Sequence, residues 1–450
     1  MKVTKINIKL FLKCLLGIAL INGFIILLID PAARVERKYP DREKVVFWHM
    51  WTGEWKKVID RIVDEFNENQ NKYEVSSLSL ANGDMKFLLS TAGGDPPDVM
   101  AQWNCVIPAW AKRKALMPLD SLMSDEDKKA FEETYPVIQK ICHFEGKNYG
   151  ICVGLNIYAL FYRPSHFEEV GLDPNKTPKT ISELNEMSEK LYKVAPDGKI
   201  QRVGIYPNHI QQWIPSFGPG MYDYDSKQMT IVTPNNLRCL EWMQSFPKKY
   251  GVKNLTFFES SFQNGYSGTL DWPFITGGYS FMVDGQWRIE QLAKYAPDLD
   301  YRICPLPAAD EDGRPNACLC NGNFLLIPSS AKCPEGAWAF MRYWSGIANP
   351  DNAAKYYTWG GWMPISPAVT NAAVFQEYLT KYPQWKTFVD LLPSENLQVW
   401  PPVVYQNFLL DRIATFSSVL TSMSKSPKET LEGLRDMVTQ EEERIKRGQP

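Results

Sequence analysis

Residues 44–55 read Lys44-Val-Val-Phe-Trp-His-Met-Trp-Thr-Gly-Glu-Trp55. The apolar run Val45–Trp48 stops where a helical pattern begins. The segment therefore predicts a strand that feeds a helix through a polar, glycine-containing turn. In an open α/β sheet such a turn lies at the carboxyl end of the strand, where ligands bind. Trp48 and Trp51 sit on it. Flat aromatic faces there suit a ligand with apolar C–H surfaces and a polar rim, as a sugar ring has. The competing reading packs one or more of these rings beneath the helix. Trp55 is assigned that way, because it starts the stripe 55, 58, 59, 62, 63, 66 that marks one buried helical face.

Working outward, Thr52 is the expected N-cap, and Tyr73–Leu80 is the next strand, which makes a β-α-β unit. Met85–Thr91 is helical. Ala92-Gly-Gly-Asp-Pro-Pro-Asp98 then turns the chain into a short buried strand at Val99-Met100. Gln102, Trp103 and Asn104 follow that strand and so fall on the same sheet edge as Trp48 and Trp51. Helices are expected at 182–192, 237–246, 286–295, 336–344 and 428–447. Strands alternating with helices argue an α/β fold.

The chain has 450 residues, enough for two or three domains, and 44% hydrophobic with 22% charged residues is a globular composition. The formal net charge is −2. Beyond the leader the one basic block is Arg444-Ile-Lys-Arg447, which argues against nucleic acid as a partner. Lys2, Lys5, Lys9 and Lys13 precede an apolar run from Cys14 to Ile29. Residues 1–30 read as a signal peptide or membrane anchor that exports the rest, and the poor cleavage site at Ala33-Arg34 favours the anchor. Residues 31–43 read as a linker. Export permits disulfides, but the spacing of the eight later cysteines fits no zinc site, and buried thiols or one or two local bridges are expected.

Several segments together resemble the extracellular solute-binding proteins of ABC importers (family 1), the sugar-binding family that includes maltose-binding protein. They are Val45–Thr52, Gly93-Gly-Asp-Pro-Pro-Asp-Val99, Leu116–Asp120, Gly146–Gly150 before Asn156–Tyr162, Pro178–Leu184, Gly277–Trp287, Cys304–Pro307, Gly322–Pro328 and Gly360-Gly-Trp-Met-Pro-Ile365. They run in family order across most of residues 44–370. Two departures are the membrane-like leader and Tyr162-Arg-Pro164, where the family shows Tyr-Asn-Lys.

The resemblance implies a two-lobed periplasmic-binding-protein fold of type II with a hinge between lobes. It places one lobe at 44–140 plus 317–366 and the other at 141–316 plus 367–450. Chain crossings are expected near Val137–His143, Asn316–Asn321 and Ser366–Thr370. It implies ligand contacts at Trp48, Trp51, Gln102, Trp103, Asn104, Asn156, Tyr158, Trp287, Trp359 and Trp362. Asp98 is expected to brace its turn, while Trp213, Trp272 and Trp400 are open between packing and the cleft. The implied function is capture of a mono- or oligosaccharide and delivery to ABC permease subunits by an extracytoplasmic monomer without cofactor or metal.

The alternatives are a carbohydrate-active enzyme and a ligand sensor without a transport role. His49, His143, His166 and His209 show no H-x-x-x-H spacing, and neither G-x-S-x-G nor a phosphate-binding Gly-Lys-Ser/Thr loop is present. Each histidine reads as structural or exposed, with His49 a candidate partner for a ligand hydroxyl. Glycoside hydrolysis would need two carboxyls about 5–10 Å apart, which sequence alone does not place.

Overall fold

The computed structural model describes residues 37–80, 83–207, 210–260 and 272–448. The leader and His209 lie outside these residues. Among the described residues no helix is long and apolar enough to cross a membrane.

The opening unit forms as its pattern predicts. Strand β1 (Glu43–His49) leads to helix α1 (Gly53–Asn69) and strand β2 (Tyr73–Ser79). Ile59, Ile62, Val63 and Phe66 bury the apolar stripe of α1. Thr52 occupies the N-cap position with extended backbone, but its side chain makes no capping bond. Helix α2 (Gly83–Ala92) and strand β3 (Val99–Trp103) follow. Asp98 joins these pieces. Its carboxylate accepts from the backbone N–H groups of Val46, Lys332 and Cys333, each at 2.8 Å. A charged acceptor serving three amides fixes the turn before β3 against two other segments.

The next strands make the passage between sheets. β4 (Gly150–Asn156) and β5 (Tyr158–Tyr162) are separated by Ile157 alone. β6 (Phe281–Gly285) leads into helix α3 (Trp287–Tyr295), and β7 (Arg302–Cys304) follows. β8 (Leu319–Leu326) returns to the first sheet. Helices α4 (Pro334–Ser345), α5 (Pro350–Gly360), α6 (Ala373–Lys381) and α7 (Trp385–Leu391) come next. The short strand β9 (Gln398–Val399) pairs with β8, and helix α8 (Pro427–Lys446) is the last described element. Ser426 and Glu429 close a capping box at the start of α8.

Two sheets result. The first has the order β9-β8-β3-β1-β2, with β4 also paired to β8. β1 and β3 are parallel, whereas β8 runs antiparallel to both β3 and β4. The second has the order β6-β5-β7, antiparallel throughout. Residues 150–156 thus belong to the first sheet, and the chain passes to the second at Ile157. The expected crossing at Val137–His143 is corrected: Pro136–Ile141 is a short helix and His143 opens a small hairpin. Its apolar residues Val137, Ile138 and Ile141 line one helical side, and all three are buried. The chain is back in the first sheet at β8, which overlaps the expected return at residues 316–321. Around Ser366–Thr370 the chain forms a capped helix, Pro367–Asn371, after a bridge between Leu155 and Met363.

All eight described cysteines stand as thiols, seven of them buried. Cys318 and Cys320 come closest, with sulfurs 3.9 Å apart.

Candidate ligand cleft

The candidate site is built on one face of β4 and β8. In an antiparallel pair, residues in register project to the same face. Asn321 opposes Asn156, and Asn323 opposes both Gly154 and Trp103. Two amides therefore face each other beside the point where the chain leaves the first sheet. Gly154 leaves room for a ring: a Cβ there would stand 3.1 Å from the Trp362 indole and 3.2 Å from the Asn323 amide nitrogen.

Beyond Ile157 the second sheet supplies an aromatic wall. Trp287 meets Tyr158 edge-on, with centroids 5.5 Å apart and planes at 90°. The Trp287 ring folds back over Gly285, where a Cβ would meet ring carbons at 2.0–2.5 Å. The same device recurs in Gly360-Gly361-Trp362, whose indole would meet a Cβ on Gly360 at 2.3–2.5 Å. Burial and the neighbouring Asp284 push the Tyr158 hydroxyl pKa up, against a hydrogen bond from Asn321. It is thus a neutral donor and acceptor across the ordinary pH range. The Oδ1 of Asn321 is buried without a hydrogen-bond partner in the protein. Asp284 is occupied: Arg288 Nε donates to it at 2.7 Å and the Gly285 N–H at 2.8 Å.

Gln286 holds this wall to the strand crossing. Its Oε1 accepts from the Ile157 N–H at 3.1 Å. Its Nε2 donates to the Leu155 carbonyl at 3.1 Å and to Asn156 Oδ1 at 3.3 Å.

The remaining expected contacts differ in burial and surroundings. Trp51 is buried in a triangle with Trp344 and Trp362, all centroids 5.7–5.8 Å apart. Both Trp51 and Trp362 are buried. Trp48 is also buried, with the Lys86 ammonium 5.2 Å above its ring. Gln102 is buried, and its Oε1 accepts from the next backbone N–H, that of Trp103, at 2.8 Å. Trp359 is partly buried and lies against Arg61 of α1. The Arg61 guanidinium covers its ring at 3.4 Å, so that face is not open to a ligand. Trp103 does present a free surface, 48% exposed. Asn104 opens a 3-10 turn directly after it.

Trp55 is the converse correction. It is 42% exposed rather than part of the buried stripe, and its indole N–H donates to the Gly360 carbonyl at 3.2 Å. The first turn of α1 projects past the sheet, so the periodic position faces the late loop instead of the core. His49 is buried between Phe47 and Trp51, with centroid distances of 5.2 and 5.9 Å, and neither ring nitrogen has a side-chain partner. Burial pulls its pKa down to about 4, so it packs as a neutral ring. Trp213 and Trp272 pack in the interior, Trp213 edge-on to Trp242 and Trp272 under the Arg288 guanidinium. Trp400 lines a recess bounded also by Gln211, Tyr222, Tyr224 and Leu319. Leu319 lies two residues before Asn321, on the same face of β8.

A family model described as bacterial extracellular solute-binding protein matches residues 61–384. The chain belongs to this family. Among relatives, the sn-glycerol-3-phosphate-binding periplasmic protein UgpB of Pectobacterium atrosepticum is 22% identical over 359 residues, covering 75% of this chain and 77% of its own. Among solved structures, CpMnBP1 with mannotriose bound superposes with a TM-score of 0.74 at 24% identity, covering 88% of this chain and 99% of its own. The sugar-binding protein MalE of Xanthomonas citri gives 0.73 at 18% identity, covering 90% and 100%. These structures share the two-lobed α/β fold. In this solute-binding protein, sequence patterning passed over Gln286, Asn321 and Asn323. The Asn-Gly-Asn run in 321–323, with a glycine between two amides in a strand, was the available signal for a close backbone approach.

Proposed function

We propose that this solute-binding protein captures a carbohydrate between its two lobes and delivers it to the permease of an ABC import system. The lobes are taken as 44–140 plus 317–366 and 141–316 plus 367–450, with residues 150–156 and Gln398–Val399 counted in the first. One observation carries the reading. Two opposed amides, Asn156 and Asn321, lie beside the partly buried rings of Trp287 and Tyr158 at the point where the chain passes between sheets. Amides bond hydroxyls and rings cover C–H faces, which together match a sugar. Trp103 and Asn104 supply contacts from the first lobe. A ligand touching both lobes favours their closed arrangement by its differential affinity. The oligosaccharides bound by structural neighbours, and the family's place in import, support the assignment. The leader is read as holding a monomer at the extracytoplasmic membrane face.

The test is a thermal-shift screen with mannotriose, maltotriose, monosaccharides and sn-glycerol 3-phosphate. A ligand bound only by the native state raises its stability by RT ln(1 + [L]/Kd). A saccharide should raise Tm and be recovered intact. Stabilisation by glycerol 3-phosphate alone would overturn the carbohydrate assignment, and release of hydrolysis products would overturn the binding role.

A further inference from the structure

We propose that Gln286 is a positioning residue that couples lobe closure to ligand contact. The proposal rests on the cleft being the ligand site. The β4–β8 ladder ends at Asn156 opposite Asn321, and the β5–β6 ladder begins at Tyr158 opposite Gly285. The peptide of Ile157 belongs to neither ladder. The side chain of Gln286 stands in for the missing strand, accepting from Ile157 N–H and donating to the Leu155 carbonyl. It is 1% exposed, so these groups have no water to turn to.

A relative motion of the two sheets must turn the backbone at this single linking residue, and Gln286 is bonded across it. Its chain neighbour Trp287 bears the ring that meets Tyr158. Rotation at the crossing is therefore passed straight to the aromatic wall. Gln286 also sets the Asn156 amide. With Oδ1 accepting from Gln286 Nε2, the Nδ2 group points away from Gln286 as a donor. The pin thus fixes both when the cleft is closed and which polarity it offers.

The experiment uses spin labels at the exposed Lys57 on α1 and Lys386 on α7, in the wild type, Gln286→Leu and Gln286→Glu. Distances are measured without ligand and with mannotriose or maltotriose, alongside the dissociation rate of each probe. Gln286→Leu should lengthen or broaden the ligand-free distance and speed dissociation at least about fivefold, the lower end of ordinary coupling between sites. Gln286→Glu keeps the acceptor for Ile157 but loses the donor. Its distances should return towards wild type as the pH falls into the range where a buried glutamate protonates and regains an O–H. A purely structural role would give no such return. Wild-type distances and rates in Gln286→Leu would overturn the proposal. If that variant does not fold, Gln286→Glu decides, and distances insensitive to pH and equal to wild type overturn it. Failure of the wild type to bind either probe would remove the carbohydrate reading, while the ligand-free distances would still judge Gln286.

Discussion

The Trp55 indole donates to the Gly360 carbonyl at 3.2 Å, tying the first turn of α1 to the glycine pair ahead of Trp362. Trp55→Phe keeps a ring and deletes the donor. The bond is part-buried, so the cost should be about 1 kcal/mol in urea unfolding. Saccharide affinity should fall with it, because the loop bearing Trp362 loses a tether. Equal stability and affinity in the variant would show the bond to be idle.

Trp287→Ala removes the ring that forms the cleft wall. Its partly buried position predicts a small effect on Tm. Affinity measured by calorimetry should drop by about 2 kcal/mol or more, the scale of a buried aromatic anchor. Unchanged affinity would take Trp287 out of the site.

Gly361 has φ +62°, and a Cβ there would stand 2.6 Å from Glu290 Oε2. Glu290 is itself held by the Tyr378 hydroxyl at 2.7 Å, so it has little freedom to yield. Gly361→Ala should cost about 1–2 kcal/mol from left-handed strain, with the contact added to it. Combining it with Glu290→Ala should recover the contact part and leave the strain. A strictly additive double-mutant cycle would contradict this.

His49 predicts an acid-side loss of stability. Its folded pKa of about 4 lies below the unfolded 6.5, so the unfolded chain takes up the proton first as pH falls. Stability is complete above pH 6.5 and declines down to about 4, by about 3 kcal/mol for this shift. His166 adds in the same window, since burial and the nearby Arg202 and Arg163 also bring it to about 4. Chemical denaturation across this range should show His49→Phe with a shallower slope than wild type. An unchanged slope would place the effect elsewhere.

Local signals carried most of the architecture. The apolar run of β1, the stripe of α1 and the Gly-Gly-Asp-Pro-Pro-Asp turn each depend on neighbours in sequence, and each forms where expected. Asp98 was legible as a brace because its motif is itself a turn. The cleft was legible in part. Asn156, Tyr158 and Trp287 meet, since they sit at strand ends that the topology converges. Trp51, Trp362 and Trp359 did not separate by role, because periodicity does not tell a ring above a sheet edge from one beneath it. Gln286 was silent for a stronger reason. Its partners lie near residue 156, far away in the chain, and no local pattern marks a side chain that completes a distant backbone.

The two Gly-x-Trp folds, at 285–287 and 360–362, have an evolutionary consequence. Each indole lies in the volume a Cβ on its own glycine would occupy. A side chain cannot be added at either glycine without displacing its indole. In diverging sequences of this protein the pairs 285/287 and 360/362 should drift together, a larger residue at the first arriving with a smaller one at the second. New ligand preferences would then arise by paired replacements that reshape a wall of the cleft in one step.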